Sequence, residues 1–139
     1  MFARLFRLVE DEEIDNLEKG KVRMFCIGSS KKQFLIGRNR YIKSKQFYFN
    51  YPHFASYHAE FDFYLKAKKK ELSFDDIFVF GFRNSVLENT RPCIYCARLL
   101  VEIDFKRIHF FENGKVVSMK KSAFVKEVLE NPEKFKDFK

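Results

Sequence analysis

The chain has 139 residues, a hydrophobic fraction of 46% and a net charge of +8. That length suits a single domain, residues 1–139, around one core. No apolar run approaches the roughly 20 residues of a bilayer-spanning helix, so no membrane association is expected. Three cysteines, two of them close together, fit a reducing compartment better than a secreted disulfide scaffold.

The N-terminus, MFARLFRLVEDEEID, starts basic and turns acidic at once. It has neither a long apolar stretch nor a small-residue cleavage site, so no signal peptide is expected. Phe2, Leu5, Phe6 and Val9 have helical spacing and predict a helix over 2–18. Its early arginines and late acids oppose the helix dipole, so packing must hold it. Gly20 is its expected stop. KVRMFCIG and QFLIGR then read as two strands of a hairpin around SSKK. A polar and aromatic loop follows, NRYIKSKQFYFNYPHFASY, and a loop of that length is more often functional than passive.

His58 to Lys70 reads as a second helix, with cations at its C-terminus where the dipole favours them. IFVFGF, residues 77–82, has the continuous apolar character of a buried central strand. NSVLENT is expected as a loop, and Pro92 opens a third helix from Cys93 to about Ile103. RIHFFENGKVVSM reads as strand, Asn113-Gly114 turn, strand. Asn-Gly is a strong hairpin signal because both residues tolerate positive φ. Parallel pairing would need a crossover of about a dozen residues, and none fits between these two strands. Ser122 to Glu130 forms the last helix, stopped by Pro132. The order α-β-β-α-β-α-β-β-α predicts an α/β fold with a five-stranded mixed sheet, its last two strands an antiparallel hairpin.

Charge is unevenly placed. Six acids lie between Glu10 and Glu18, whereas Lys19 to Ala59 contains no acid and nine basic residues. Among these, Arg38, Arg40, Lys43 and Lys45 are the candidate phosphate contacts. A lysine-rich solvated surface would have the same composition.

The chemistry concentrates in His58-Ala59-Glu60 and Pro92-Cys93-Ile94-Tyr95-Cys96. Cys93 and Cys96 share one face at a helix start, where thiolate formation is favoured. A thioredoxin-like redox pair would use the two thiols and leave His58 and Glu60 without a role. A structural zinc site would need a fourth ligand, and Cys26, in an apolar strand, has the character of an inert core residue. A catalytic zinc site needs only His58, Cys93 and Cys96, and leaves one coordination position for water. Glu60 is then the proton shuttle. His53 reads as a packing or surface residue, and His109, in a predicted strand, receives no functional role.

H-x-E followed by P-C-x-x-C is the zinc deaminase signature, and both halves are complete here, each opening a predicted helix. On these motifs and on the order of its elements, the chain resembles the cytidine deaminase-like superfamily over most of its length. The long loop before HAE and the closing hairpin look most like small deaminase-like proteins of phages and other viruses, often labelled dCMP-type. The closing hairpin itself is the arrangement of free-cytidine deaminases and several deaminase toxins, whereas dCMP deaminases have parallel last strands.

The resemblance implies a three-layer α/β/α fold, a Zn2+ cofactor held by His58, Cys93 and Cys96, and Glu60 as catalytic residue. It implies a sugar contact from Asn39 of GRNR, and contacts to the pyrimidine edge from the Ala59 N–H and from Pro92 and Cys93. Aromatics of the loop, Phe47, Tyr48, Phe49, Tyr51, Phe54 and Tyr57, are candidates to stack on a base. The expected activity is hydrolytic deamination of cytosine to uracil in free nucleosides or nucleotides. Cytosine in single-stranded DNA or RNA is the alternative substrate, because basic residues interleaved with aromatics suit a single strand. A zinc-stabilised binding module without activity is a third reading, and it gives Glu60 no purpose. The expected location is cytoplasmic, that of the host if the protein is viral. Hairpin-type relatives often self-associate, which implies a homo-oligomer.

Overall fold

A mixed β-sheet organises the described residues. The structure, a computed structural model, describes residues 23–31, 33–39, 58–83 and 86–135. Its elements are β1 (Arg23–Ser29), β2 (Phe34–Arg38), α1 (Ala59–Lys70), β3 (Ser73–Arg83), β4 (Val86–Leu87), α2 (Ile94–Leu100), β5 (Asp104–Glu112), β6 (Lys115–Lys120) and α3 (Lys121–Glu130), followed by a 3-10 turn at Pro132–Lys134. The helix expected over 2–18 lies outside the described residues, as do Arg40, Lys43, Lys45 and the loop aromatics.

The strand order is β2-β1-β3-β5-β6, with β4 paired to β3 off that path. β1 pairs antiparallel with both β2 and β3, β3 pairs parallel with β5, and β5 pairs antiparallel with β6. The parallel pair is joined through α2, a crossover that parallel neighbours require. The β5–β6 connection is the Asn113-Gly114 turn, both residues at positive φ of 52° and 77°.

Among the described residues, six strands stand where five were expected. The extra one is β4, inside the segment read as a loop; Leu87 pairs with Phe82 and Val86 with Arg83. Two residues are too short for a periodic signal. β3 is also longer than its apolar run, because it begins at Ser73 and includes Asp75 and Asp76. Side chains on the adjacent strand accommodate these acids: Lys106 Nζ lies 3.1 Å from Asp75 Oδ1, and His109 Nε2 lies 2.8 Å from Asp76 Oδ1. In the other direction, α2 stops at Leu100 rather than near Ile103. The apolar run continues through Val101 and Ile103, so hydrophobicity does not mark the helix end.

Alternate residues of the central strands face opposite ways, as the pleat requires. One face carries Cys26, Leu35, Ile77, Val79, Ile108 and Phe110, which share a core with buried residues of all three helices. Phe61, Phe63 and Tyr64 from α1, Cys96 and Leu100 from α2, and Phe124 from α3 fill it. Each such aromatic or aliphatic side chain contributes roughly 1.5–3 kcal/mol by leaving water. Phe25, Ile27, Phe78, Phe80 and Phe82 form a second buried cluster from the alternate positions. The described helices belong to the first cluster. The described residues thus supply two of the expected three layers, the sheet and one layer of helices.

His109 has a structural environment. Its Nδ1 lies 2.7 Å from Ser118 Oγ, its Nε2 contacts Asp76, and its ring stacks on Phe78 at 4.6 Å. No helix among the described residues is long and apolar enough to cross a membrane.

Candidate metal centre

The site forms where α1 and α2 begin. α1 starts with Ala59, and His58 occupies its N-cap position in an extended conformation (φ −76°, ψ 151°) without capping through its side chain. Ser, Thr, Asp or Asn is the usual choice there, because it satisfies a free helix N–H. Here the His58 carbonyl accepts the Asp62 N–H at 3.1 Å, and the imidazole is directed to the cysteines.

Two features set α1 on the sheet. Gly37 of β2 lies directly beneath the start of the helix. A Cβ on it would come within 2.5 Å of the Ala59 carbonyl oxygen and of the Phe63 nitrogen, both backbone atoms. Only glycine permits this approach. Polar contacts flank it: Asp62 Oδ2 accepts the Arg38 N–H at 3.0 Å, and Lys66 Nζ donates to the Ile36 carbonyl at 2.9 Å. Asp62 and Lys66 also pair with each other at 3.0 Å, one helical turn apart.

The cysteine side is anchored differently. β3 and β5 pair as far as Val79 and Phe110. Beyond that point Thr90 is inserted between them: its hydroxyl donates to the Val79 carbonyl at 2.6 Å and accepts the Phe111 N–H at 2.9 Å. Its own N–H donates to the Phe111 carbonyl at 2.7 Å. Arg91 comes next, then the buried Pro92, and Cys93 caps α2 by accepting the Cys96 N–H on its sulfur at 3.4 Å.

These supports converge on three donor atoms. His58 Nδ1 lies 3.5 Å from Cys96 Sγ and 3.7 Å from Cys93 Sγ, although the histidine and Cys93 are 35 residues apart in sequence. Among the described residues, His58, Cys93 and Cys96 form the one group of ligand-type side chains whose donor atoms all lie within 4.8 Å of one another, and they can hold a metal ion. Both cysteines are free and buried. The Cys93 thiol is pulled down to about 5 by the hydrogen bond from Cys96 and then by His58, against the opposing effect of burial. Such a thiol is a thiolate at neutral pH, the form that ligates metals.

The remaining expected residues have clear positions. Glu60 is buried in the first turn of α1, two residues past His58, and its charge reaches Cys26. Ala59 is fully buried. Asn39 directly follows β2, where its carboxamide oxygen accepts the Met24 N–H at 2.8 Å and its own N–H donates to the Met24 carbonyl at 3.2 Å. Arg38 is half-buried beside Asp62, so its backbone serves the fold. Cys26 is outside the donor group. It faces Gly37 in the β1–β2 register, and burial, then the charges of Glu60 and Asp62, push its thiol well above the ordinary value. A fourth ligand from Cys26 therefore finds no support.

The supporting residues Gly37, Asp62, Lys66, Thr90 and Arg91 were not singled out as such from the sequence. Asp62 and Lys66 had a readable sign in their four-residue spacing. Thr90 and Arg91 had none, because their partners lie on β3, β5 and α3. No protein-family model matches this chain, and no curated protein matches it either.

Proposed function

We propose that this chain is a zinc-dependent hydrolytic deaminase of the cytidine deaminase-like fold, converting cytosine to uracil in free nucleosides or nucleotides. The triangle of donor atoms carries the reading. Sulfur and nitrogen ligands at about 2.3 and 2.1 Å from a tetrahedral zinc are roughly 3.6 Å apart. The nitrogen–sulfur separations of 3.5 and 3.7 Å fit that spacing before any ion is placed. A three-residue donor set also suits a site with an open position, whereas structural zinc sites use four protein ligands.

Bound there, the ion would supply a Lewis acid that lowers the pKa of a water toward neutrality. Glu60, held in the first turn of α1, is the residue that would accept a proton from such a water. Its carboxyl would give that proton to ring nitrogen N3 as the hydroxyl oxygen bonds to C4, then carry the remaining hydroxyl proton to the exocyclic amine, so that the C4–N bond breaks, ammonia leaves and the C4 carbonyl of uracil forms. The Ala59 N–H and the backbone around Pro92 and Cys93 border the same site and hold the pyrimidine edge. Asn39 is assigned the sugar.

The antiparallel β5–β6 pair supports the free-cytidine branch of the family. Charge favours a second reading, cytosine in single-stranded DNA or RNA. The acid-free run from Lys19 to Ala59 holds nine basic residues, more than one nucleotide phosphate employs.

The test is a deamination assay of the full chain on cytidine, CMP, dCMP, single-stranded DNA and RNA, with Glu60→Ala as control. Uracil formed from the monomers alone supports the first reading. Conversion of the polymer, weakened steeply by salt, supports the second. Zinc bound with no turnover on any substrate would sink both readings in favour of a binding module.

A further inference from the structure

Arg91 precedes Cys93 by two residues, and its side chain has several partners. Its side chain is only 12% exposed. Nε and Nη2 grip Glu112 of β5 in a two-pronged pair at 2.7 and 3.1 Å, and Nη1 donates to Glu127 of α3 at 2.9 Å. The planar group also lies over Phe110, 4.7 Å from the ring centroid, and near Phe135 at 5.2 Å. Lys134 approaches Glu127 at 3.3 Å and completes the cluster.

The pattern is specific to arginine. A lysine offers a point charge and cannot donate in a fork to one carboxylate while serving a second from the same plane. Arg91 therefore fastens three things together: the strand end that carries Glu112, the C-terminal helix, and the backbone leading into Cys93. Pro92 restricts the link to Cys93 further, since its φ is fixed. Thr90, on the other side, is tied to both β3 and β5. The approach to the first thiol ligand is thus held on every residue from Thr90 to Cys93.

His58 is placed by a separate set of contacts on β2. The donor triangle thus has a histidine side set on β2 through α1 and a cysteine side tied to α3 by the Arg91–Glu127 pair, while all three helices also meet in the shared core. We infer that Arg91 is a positioning residue for the metal centre, transmitting the seating of the C-terminal helix to Cys93 and Cys96. This inference rests on the metal-site reading above and extends it to residues that touch no ligand atom. Residues that orient metal ligands from outside typically change affinity by about 10–100-fold when replaced.

The experiment uses the full chain and three variants: Arg91→Met, Arg91→Lys and Glu127→Gln. Zinc affinity is read by competition with a chromophoric chelator. Site geometry is read from the absorption spectrum of the cobalt(II)-loaded protein, and melting temperature is recorded in parallel. Arg91→Met is expected to weaken zinc binding by about 10–100-fold and to alter the cobalt spectrum. Arg91→Lys should fall between it and the parent, and Glu127→Gln should show the smallest loss in the same direction. Should Arg91→Met fail to fold, the other two variants decide. Lower melting temperatures with parental zinc affinity and a parental cobalt spectrum would make Arg91 a purely structural clamp and overturn the inference. A parent protein that binds neither zinc nor cobalt is a different result, and it would remove the metal-site reading itself.

Discussion

Cys26 and Cys93 are both buried, yet their chemistry diverges. Cys26 lies in β1 under the first turn of α1, where burial and the nearby carboxylates of Glu60 and Asp62 all oppose a negative sulfur. Cys93 caps α2, where the Cys96 contacts and His58 outweigh the same burial. Depth alone therefore does not make a ligand. Neighbours that accept a negative sulfur do, and they separate the three-ligand group from the core thiol beside it.

Replacing the ligands should break this contrast most severely. Cys96→Ala is expected to abolish metal binding, measured as metal content after dialysis, and all turnover with it. Glu60→Gln comes next: metal is retained while kcat falls by about 10²–10⁴-fold, the usual range for a lost acid-base group. Gly37→Ala acts on the region between the two cysteines. Its Cβ collides with the α1 backbone, so a loss of about 1–3 kcal/mol in urea unfolding is expected, together with weaker metal binding.

pH should sharpen the comparison in metal-free protein, because the two thiols have opposite linkage. The Cys93 value is depressed in the fold, so its contribution is complete above the ordinary value of 9.0 and is lost as pH falls toward about 5. The Cys26 value is raised, so its contribution is complete below 9.0 and is lost only as pH climbs above that. Stability of the metal-free chain, followed by denaturant midpoints, should flatten on the acid side in Cys93→Ser and on the alkaline side in Cys26→Ala. At neutral pH Cys26→Ala should have the smallest effect, about 1 kcal/mol from one lost heavy atom, with metal content unchanged. Metal loss in Cys26→Ala would instead make it a fourth ligand.

The sequence was most legible where spacing is local. His58 and Glu60 are two apart, Cys93 and Cys96 three apart, and each pair opens a helix, so the donor set could be read without coordinates. The β5–β6 hairpin was equally local, fixed by Asn113-Gly114. Support from distant elements was not legible. Nothing near Arg91 announces Glu112 or Glu127, and nothing near Gly37 announces that a helix backbone rests on it. Strand ends were misjudged for a related reason. Asp75 and Asp76 fall outside the apolar run 77–82, and their place in β3 becomes clear only when Lys106 and His109 stand beside them.

The separation of 35 residues between His58 and Cys93 has a consequence for how the chain folds. The two cysteines form a local pair that an ion can meet before the sheet exists. Bringing His58 to them closes a long loop that contains α1 and β3. Closing such a loop costs entropy that grows slowly with its length, and an ion already held at one end offsets part of that cost when it captures the other. Thiols that bind the ion in the unfolded chain also reduce the stability that binding confers on the folded one. The same ion would thus speed assembly more than its effect on equilibrium stability suggests.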